Sequence, residues 1–344
     1  MNNHEKYDIK LASEVNIDAL STFYKLAYPD RHKLIFKYMK WYYRTSLFNL
    51  EPLVIEIDNE IVGHAGMMSS YLSYNNNIYK SIWFIDYIIL PKYRGKGLGK
   101  ILTKKWMDCC PTKLTFCNDH SLHIFKKFGW KEDKTFFRAA KILNYNKFIP
   151  IVKNMNESLL NLINFNKYLN LINKNKMIKP YPISGNHHHL LDYIFSYEKK
   201  LKDIKKIRIL RDENWFYWRI MESPFLLDYY FFKTEESLII VHKFFHKKIK
   251  RLNIILTLSS NKKDQINLFR SIIKWSVEEN IDLIWLNSND KIIKDNFKKI
   301  LPNISNLNFA FSSVDKNLEN TMNGNFENIQ AIDGDNDLMY SNDN

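Results

Sequence analysis

Apolar and polar positions along residues 1–143 follow two periods, one typical of helices and one typical of strands. Asn16–Tyr28 and Arg31–Tyr43 have the helical period. Three segments then alternate as strands do, and polar turns separate them: Leu53–Ile57, Ile61–Tyr74 and Ile78–Leu90. The pattern next predicts a helix, a strand, a helix and a strand: Gly97–Cys110, Lys113–Cys117, Asp119–Phe128 and Thr135–Leu143. This order predicts an α/β (α+β) fold, with a mixed central sheet flanked by helices.

The second half of the chain repeats this plan in a more divergent form. Its pattern predicts, in order, a helix, a hairpin, a strand, a helix, a strand, a helix and a strand: Asp212–Met221, Tyr229–Phe245, Leu252–Leu258, Lys262–Glu279, Ile281–Asn287, Lys291–Lys299 and Leu307–Ser312. Asn144–Lys176 has a helical period but is rich in Asn, and Pro180, Pro182 and Gly185 follow it. We therefore predict a first domain at residues 1–145, a helical connector at 146–185 and a second domain at 186–344.

Composition narrows the class of protein. Of the 344 residues, 45% are hydrophobic, which suits two folded domains rather than a disordered chain. No apolar run is long enough to span a membrane, and the polar segment Met1–Lys10 is unlike a secretory signal. The three cysteines lie close together and fit neither a disulfide framework nor a zinc site, so we expect a cytoplasmic protein. The net charge of +14 is spread along the chain without a reading motif, so nucleic acid is not the expected partner.

The glycine-rich segment that follows the third predicted strand is the most informative part of the chain. Three of the nine glycines lie within Gly95–Gly99, where a helix is predicted to begin. Backbone N–H groups of such a loop can converge on an anion, and the helix dipole favours negative charge there. The spacing fits neither the dinucleotide-binding fingerprint nor the P-loop.

The spacing Arg94-x-x-Gly97-x-Gly99 resembles the [Q/R]-x-x-G-x-[G/A] signature of the GNAT acetyltransferases, and the preceding Leu90–Tyr93 resembles the usual lead-in. A second segment, Asn118–Trp130, resembles the family's second motif, in which an Asn precedes a helix that ends in Gly-aromatic. With the flanking strands, the resemblance covers residues 50–143. It implies a GNAT fold, an enzyme that uses acetyl-CoA as acyl donor, and a primary amine as acceptor.

The resemblance also implies a set of cofactor contacts. The amides of the third strand should pair with the pantetheine arm, the glycine-rich loop should hold the pyrophosphate, and two residues of the second motif should approach the cofactor. The residues concerned are Ile88, Ile89 and Leu90 for the strand; Arg94, Gly95, Lys96, Gly97, Leu98, Gly99 and Lys100 for the loop; and Asn118 and Phe125 for the second motif.

Direct attack of the amine on the thioester requires a base, and Asp86 is the first candidate because it interrupts an otherwise apolar strand. A structural role for this carboxylate is the alternative. His64 on the neighbouring strand could share the role of base, or simply be a packed histidine. Phe125 occupies the position where the family commonly has a Tyr that protonates the thiolate. The sequence therefore does not identify the general acid for the leaving thiolate. Cys117 is expected in the core rather than as a nucleophile.

The segment Arg211–Arg219 weakly resembles tandem GNAT-like proteins encoded with bacterial surface-polysaccharide enzymes. Trp215 and Arg219 would share a helix face that suits a sugar or a phosphate, with a packed surface helix as the alternative. The ending around Asp335 resembles the same group. An amino sugar or nucleotide-linked amino sugar is then the expected acceptor. An antibiotic, peptide or protein amine is the alternative acceptor, and a non-catalytic basic binding module is the alternative function.

No metal site is predicted. The residues from Asp333 onward do not have the spacing of an EF-hand loop, and the consecutive His187–His189 suit a solvated loop.

Overall fold

The computed structural model describes residues 6–144, 177–183, 188–201, 205–246, 248–291, 293–295 and 303–334. The chain forms two compact units, each assembled from separate segments. The first unit comprises Met1–Lys134, Ile204–Leu210 and Asn308–Glu327; the second comprises Thr135–Asp203, Arg211–Leu307 and Asn328–Asn344. Within the described parts of the chain, no helix is both long enough and apolar enough to cross a membrane.

The first unit is built on a mixed sheet with helices against it. Its strands are β1 (Asp8–Leu11), β2 (Leu53–Ile57), β3 (Glu60–Tyr74), β4 (Asn77–Ile89), β5 (Thr112–Cys117), β6 (Lys131–Asp133), β9 (Arg208–Ile209) and β15 (Asn308–Ser313). Its helices are α1 (Ile17–Ala27), α2 (His32–Tyr43), α3 (Leu98–Met107), α4 (Asp119–Lys127) and α8 (Lys316–Met322). The strand order is β1-β2-β3-β4-β5-β15-β6, and β9 pairs with β3. Short 3₁₀ turns cover Thr45–Leu47 and Pro91–Tyr93.

The helix ends follow from local sequence. Asn16 caps α1 by accepting hydrogen bonds from the amides of Asp18 and Ala19, and Asn118 caps α4 by accepting from Ser121 N. The apolar faces of α3 and α4 pack on the sheet in a core that includes Phe84, Trp106 and Trp130. The indole Nε1 of Trp106 donates to the carbonyl of Gly66 at 3.0 Å and so ties α3 to β3.

Strands β4 and β5 are parallel neighbours for only a short distance. Their paired register runs from Ser81↔Thr112 to Trp83↔Leu114. One side-chain bond lies beyond this register, from Thr115 Oγ1 to the carbonyl of Phe84 at 2.8 Å. Beyond that point β4 continues to Ile89 without a register partner on β5. The C-terminal part of β4 therefore has an open edge.

The second unit is also a mixed sheet with helices. Its strands are β7 (Phe137–Ile142), β8 (Tyr181–Pro182), β10 (Tyr229–Lys233), β11 (Ser237–His246), β12 (Ile249–Ser259), β13 (Leu283–Ser288) and β14 (Asn303–Asn306), in the order β14-β7-β13-β12-β11-β10-β8. Its helices are α5 (His188–Leu201), α6 (Glu213–Phe216) and α7 (Lys262–Glu278). A π-helical turn, Tyr217–Met221, continues α6, and 3₁₀ turns cover Leu226–Asp228 and Ala331–Asp333.

The predicted elements that lie within the described residues are confirmed within a few residues, but two strands belong to the other sheet. The strand predicted at Thr135–Leu143 pairs with β13 and β14 of the second sheet, not with the first. The strand predicted at Leu307–Ser312 pairs with β5 and β6 of the first sheet. The compact units therefore differ from the contiguous domains 1–145 and 186–344 of the sequence analysis. The predicted connector lies mainly outside the described residues, and so does most of the predicted helix Lys291–Lys299.

Candidate active site

The predicted phosphate loop connects β4 to α3 and is shaped by two glycines. Gly95 and Gly97 have φ of +82° and +81°, in the left-handed region that favours glycine. Neither has any heavy atom within 4 Å of the position that a Cβ would occupy, so the space in front of the loop is open. Gly97 is the N-cap of α3, and no side chain caps this helix end. The first amides of α3 therefore lack the side-chain acceptor that closes many helix N-termini.

The side chains of the loop add positive charge around this helix end. Arg94, Lys96 and Lys100 are exposed, and the Nε of Arg94 donates to the carbonyl of Ile89 at 2.9 Å. Leu98 is buried in the core, so only its backbone can take part in binding. Gly99 has a different role, because a Cβ there would lie 2.5 Å from the hydroxyl of Tyr87. This combination of open amides and cations fits a pyrophosphate.

Hydrogen bonds to β3 decide which amides of β4 remain for a cofactor. Leu90 N donates to the carbonyl of Val62 at 2.9 Å. Because bonds alternate along an antiparallel pair, Ile88 also faces β3, whereas the N–H of Ile89 faces the open edge. The amides of Ile88 and Leu90 are therefore used within the sheet, which argues against the predicted pantetheine contacts through them, and a contact through the amide of Ile89 stays a prediction.

Asp86 lies in a bulge of β4 with φ of +48°. Its carboxylate forms an ion pair with Arg31 and accepts a hydrogen bond from Tyr43 Oη at 3.4 Å. Its side chain is only 1% exposed. Its backbone carbonyl accepts from His64 Nδ1 at 2.7 Å and from the hydroxyl of Tyr28. The candidate base is thus buried and already bound to a cation.

His64 is completely buried on β3, among the rings of α1 and α2. Burial lowers its pKa, an effect larger than the opposing one of Asp86. Burial likewise raises the pKa of Tyr28 and Tyr43, and the charge of Asp86 raises both further. At neutral pH the imidazole and both phenols are therefore uncharged. His64 is thus as buried as the Asp86 carboxylate, and a share of the role of base stays a prediction for it.

The two residues of the second motif occupy different environments. Asn118 is exposed at the end of β5, where its side-chain oxygen accepts from Ser121 N at 2.8 Å. Phe125 is 5% exposed and packs in the core, with ring centroids 5.2 Å from Phe84 and 4.7 Å from Trp130. Phe125 therefore has little surface left for the cofactor contact that the resemblance implied.

The cysteines are free thiols. Burial raises the pKa of Cys117 to about 12, and the carboxylates of Glu132 and Asp119 act in the same direction. Cys117 is only partly buried and packs against the core, and as a protonated thiol at neutral pH it is not suited to be a nucleophile. Among the residues that the structure describes, no group of three or more His, Cys, Asp or Glu side chains could hold a metal ion.

The predicted acceptor face of the second unit is buried. Trp215 and Arg219 are 1% and 0% exposed. The Nε of Arg219 donates to the carbonyl of Ile332 at 2.8 Å, and its Nη2 donates to that of Gly334 at 2.7 Å. The π-helical turn after Phe216 also breaks the i, i+4 spacing on which the prediction relied. Arg219 therefore holds the segment before residue 335 in place, and neither side chain presents a binding face. Asp335 lies outside the described residues.

Sequence reasoning missed Tyr28, Arg31 and Tyr43, which surround Asp86. A signal was present, because the two N-terminal helices and the loop between them are rich in aromatic residues: Phe23, Tyr24, Tyr28, Tyr38, Trp41, Tyr42 and Tyr43. Surface helices seldom carry so many rings, so this segment was a candidate wall of a buried site.

Part of the chain matches a known protein family, and the fold resembles several solved structures. Residues 17–130 match the model of the acetyltransferase (GNAT) family. No curated protein matches the chain in sequence. Among solved structures, the chain resembles N-myristoyltransferase from Saccharomyces cerevisiae with bound myristoyl-CoA, with a TM-score of 0.60, 10% identity, and coverage of 90% of this chain and 83% of that chain.

Two bacterial structures are also similar. One is a GCN5-related N-acetyltransferase from Anabaena variabilis, with a TM-score of 0.56, 13% identity, and coverage of 90% of this chain and 73% of that chain. The other is a GCN5-related N-acetyltransferase from Kribbella flavida, with a TM-score of 0.57, 9% identity, and coverage of 91% and 73%. At such identities the likeness establishes the fold alone. With the sequence match it identifies residues 17–130 as a domain of the GNAT family, and the chain as an acyl-coenzyme A-dependent N-acyltransferase.

Proposed function

We propose that the protein transfers an acetyl group from acetyl-CoA to a primary amine, by direct attack in a ternary complex. The observation that carries the proposal is the start of α3, where Gly97 leaves the helix end without a side-chain cap and open to solvent. Pyrophosphate is the part of coenzyme A that such a helix end recognises. The loop Arg94–Gly99 would hold this group, and the N–H of Ile89 would face the pantetheine arm.

The reaction needs a neutral amine close to the thioester carbon, donors for the oxyanion and a leaving thiolate. The amine nitrogen forms the new C–N bond, the C–S bond breaks, and the proton lost by the amine balances the one gained by the thiolate. No covalent enzyme intermediate is required, which agrees with the protonated thiol of Cys117. Asp86 remains the proposed base, and to act as one its carboxylate must exchange Arg31 for the proton of the amine, directly or through water.

The acceptor is proposed only as a small primary amine. The amino-sugar hypothesis rests on the sequence resemblance of Arg211–Arg219, because the two side chains that were expected to bind it are buried. Amines of antibiotics, peptides or proteins are the alternative enzyme acceptors. A non-catalytic binding module would bind acetyl-CoA without releasing thiol in the presence of any amine. Thiol release across an amine panel, with acetyl-CoA and myristoyl-CoA as donors, tests both acceptor and chain length.

Cofactor binding is tested by Gly97→Glu, because a side chain and a negative charge would occupy the open space before α3. Titration calorimetry should show acetyl-CoA binding for the wild type and none for this variant. Gly324→Glu is a matched control, since Gly324 also has a positive φ, of +69°, with nothing within 4 Å of its Cβ position. Both changes introduce the same strain and charge, but only the first should abolish binding. Equal affinity in a folded Gly97→Glu protein would remove the central claim.

A further inference from the structure

The candidate site of the first unit holds two charged side chains in direct contact. The Asp86 carboxylate on β4 is 1% exposed and pairs with Arg31, whose side chain is 17% exposed. Three uncharged rings contact this aspartate: Tyr28, Tyr43 and His64. Besides burial, which lowers the pKa of His64 most, the charges that act on this imidazole are those of Asp86 and Arg31, in opposite directions. The site thus presents one negative and one positive group, side by side.

Arg31 is the member of the pair that a molecule from solvent can reach. It is the N-cap residue of α2, and its side chain does not cap the helix. Its Nη1 donates to Tyr42 Oη at 3.3 Å, and its Cζ lies 5.5 Å from the centroid of the Tyr28 ring. Its Nη2 donates to Asp86. The guanidinium is therefore held by the helical segment as well as by the carboxylate, so it can release Asp86 and remain beside it.

A carboxylate that is to bind the acceptor amine must release Arg31, and this exchange restricts the acceptor. An amine without a further charge would leave the guanidinium separated from Asp86 and bring a second positive charge beside it. In a poorly solvated site, separating the two partners of an ion pair in this way is strongly unfavourable. An acceptor that carries its own anion avoids this penalty, because Arg31 can bind that anion while the carboxylate binds the amine.

The contact between the two side chains also limits the shape of the acceptor. Because the guanidinium and the carboxylate touch, the groups that bind them must lie only a few bonds apart. A guanidinium matches a carboxylate or a phosphate, which it can bind through two parallel N–H groups. An α-amino acid, in which one carbon separates the amine from the carboxylate, has this arrangement. An amine that a short chain connects to a phosphate has it as well.

We propose that the acceptor is a small zwitterionic amine, either an α-amino acid or an amine with a nearby phosphate, and that Arg31 determines this specificity. The guanidinium passes from Asp86 to the anionic group of the acceptor, and the amine takes its place at the carboxylate. This inference rests on the proposed function, with Asp86 as the group that meets the amine. It predicts that amino sugars without an anionic group are poor acceptors.

The test measures thiol release at saturating acetyl-CoA with acceptors in matched pairs. Each α-amino acid is paired with the amine that lacks its carboxylate, such as phenylalanine with phenethylamine, and phosphoethanolamine is paired with ethanolamine. Because an anion alters the pKa of a neighbouring amine, kcat/KM is calculated from the concentration of neutral amine in each solution. The wild type should prefer the zwitterionic member of at least one pair by about 10²-fold or more. The pairs that it turns over distinguish a carboxylate from a phosphate.

Arg31→Gln separates a contact with the acceptor from a structural role. It should abolish the preference by lowering kcat/KM for zwitterionic acceptors about 10²-fold, while KM for acetyl-CoA stays within about twofold. A structural role alone would lower both members of a pair equally and keep their ratio. Arg31→Lys keeps the charge but not the planar guanidinium, so part of the preference should remain. The matched control is Arg208→Gln, because Arg208 forms an ion pair with Glu327 at 3.4 Å in the first unit, and it should leave the preference unchanged.

Two results would overturn the inference. One is equal or faster turnover of the neutral member in every pair, and the other is an undiminished preference in a folded Arg31→Gln protein. The first result comes from the wild type alone, so the test is decisive even if no Arg31 variant folds. Absence of thiol release with both members of every pair would contradict the proposed function, and this inference with it.

Discussion

Replacing Asp86 by Asn distinguishes a catalytic base from a carboxylate with a structural role only. The two side chains have the same shape, but Asn cannot take up a proton. If Asp86 is the base, turnover at neutral pH should fall by about 10²-fold or more. The loss should shrink as the pH rises, since more of the acceptor amine is then neutral without help. If Asp86 only anchors the bulge, the loss should be the same at every pH.

The same change should also lower stability, and the structure sets its size. The Asp86 side chain is 1% exposed and that of Arg31 is 17% exposed, so the ion pair is largely buried. Removing one partner of a buried pair destabilises by about 3–5 kcal/mol. Arg31 can turn partly to solvent and is also held by Tyr28, whose ring centroid lies 5.5 Å from its Cζ. We therefore expect the lower end, about 3 kcal/mol, in urea unfolding.

The assay measures kcat against pH for the wild type, Asp86→Asn and the control Glu56→Gln. Glu56 also forms an ion pair within the first sheet, with Lys10, but lies on β2. The control should follow the wild-type profile. A gap between wild type and Asp86→Asn that stays constant with pH refutes the role of base. Wild-type turnover in Asp86→Asn refutes any role in catalysis.

Three further predictions concern other groups. Burial lowers the pKa of His64, so the unfolded chain binds a proton at a higher pH than the folded chain does. The free energy of unfolding should therefore fall as the pH drops below about 6.5, by at most about 1.4 kcal/mol per pH unit. Thermal melts from about pH 7 to pH 5 should thus fall less steeply for His64→Asn than for the wild type. Asp333→Asn should lower the free energy of unfolding by about 3–5 kcal/mol, because both carboxylate oxygens of Asp333 bind Arg211 in the interior. As a control, Glu132→Gln removes one partner of a surface ion pair and should change the free energy of unfolding by less than about 1 kcal/mol. Cys117→Ala should keep turnover within about twofold of the wild type, and a large loss would contradict direct attack.

The elements and the conformation of the glycine-rich loop could be predicted because they depend on neighbouring residues. Gly97 and Gly95 mark a helix start that needs positive φ, and the structure has that conformation at both. The caps Asn16 and Asn118 likewise mark the starts of α1 and α4. Such signals act over a few residues, so a single sequence contains them in full.

The sheet to which a strand belongs could not be predicted in the same way. Alternation identifies Phe137–Ile142 and Asn308–Ser313 as strands but says nothing about which strand lies beside them. Consecutive strands are neighbours in only about two-thirds of cases, and here both strands are exceptions. The surroundings of Asp86 were missed for a related reason, since Arg31 and Tyr43 reach it from helices more than forty positions away in sequence.

The same physical criterion that supports a cofactor site in the first unit argues against one in the second. Helix α7, like α3, follows a strand of its sheet and leads to a parallel partner, β13. Its N-cap is Asn261, whose side-chain oxygen accepts from the amides of Lys263 and Asp264 at 2.9 and 3.3 Å. Those amides are the donors that a pyrophosphate would need, and the carboxylate of Asp264 in the first turn would repel it. Gly97 at the start of α3 offers no such oxygen, and that first turn has no acid. The chain has no glycine between Gly185 and Gly324 that could leave a helix start open, and the start of α7 is capped by the side chain of Asn261. We therefore expect the second unit to bind no coenzyme A by itself.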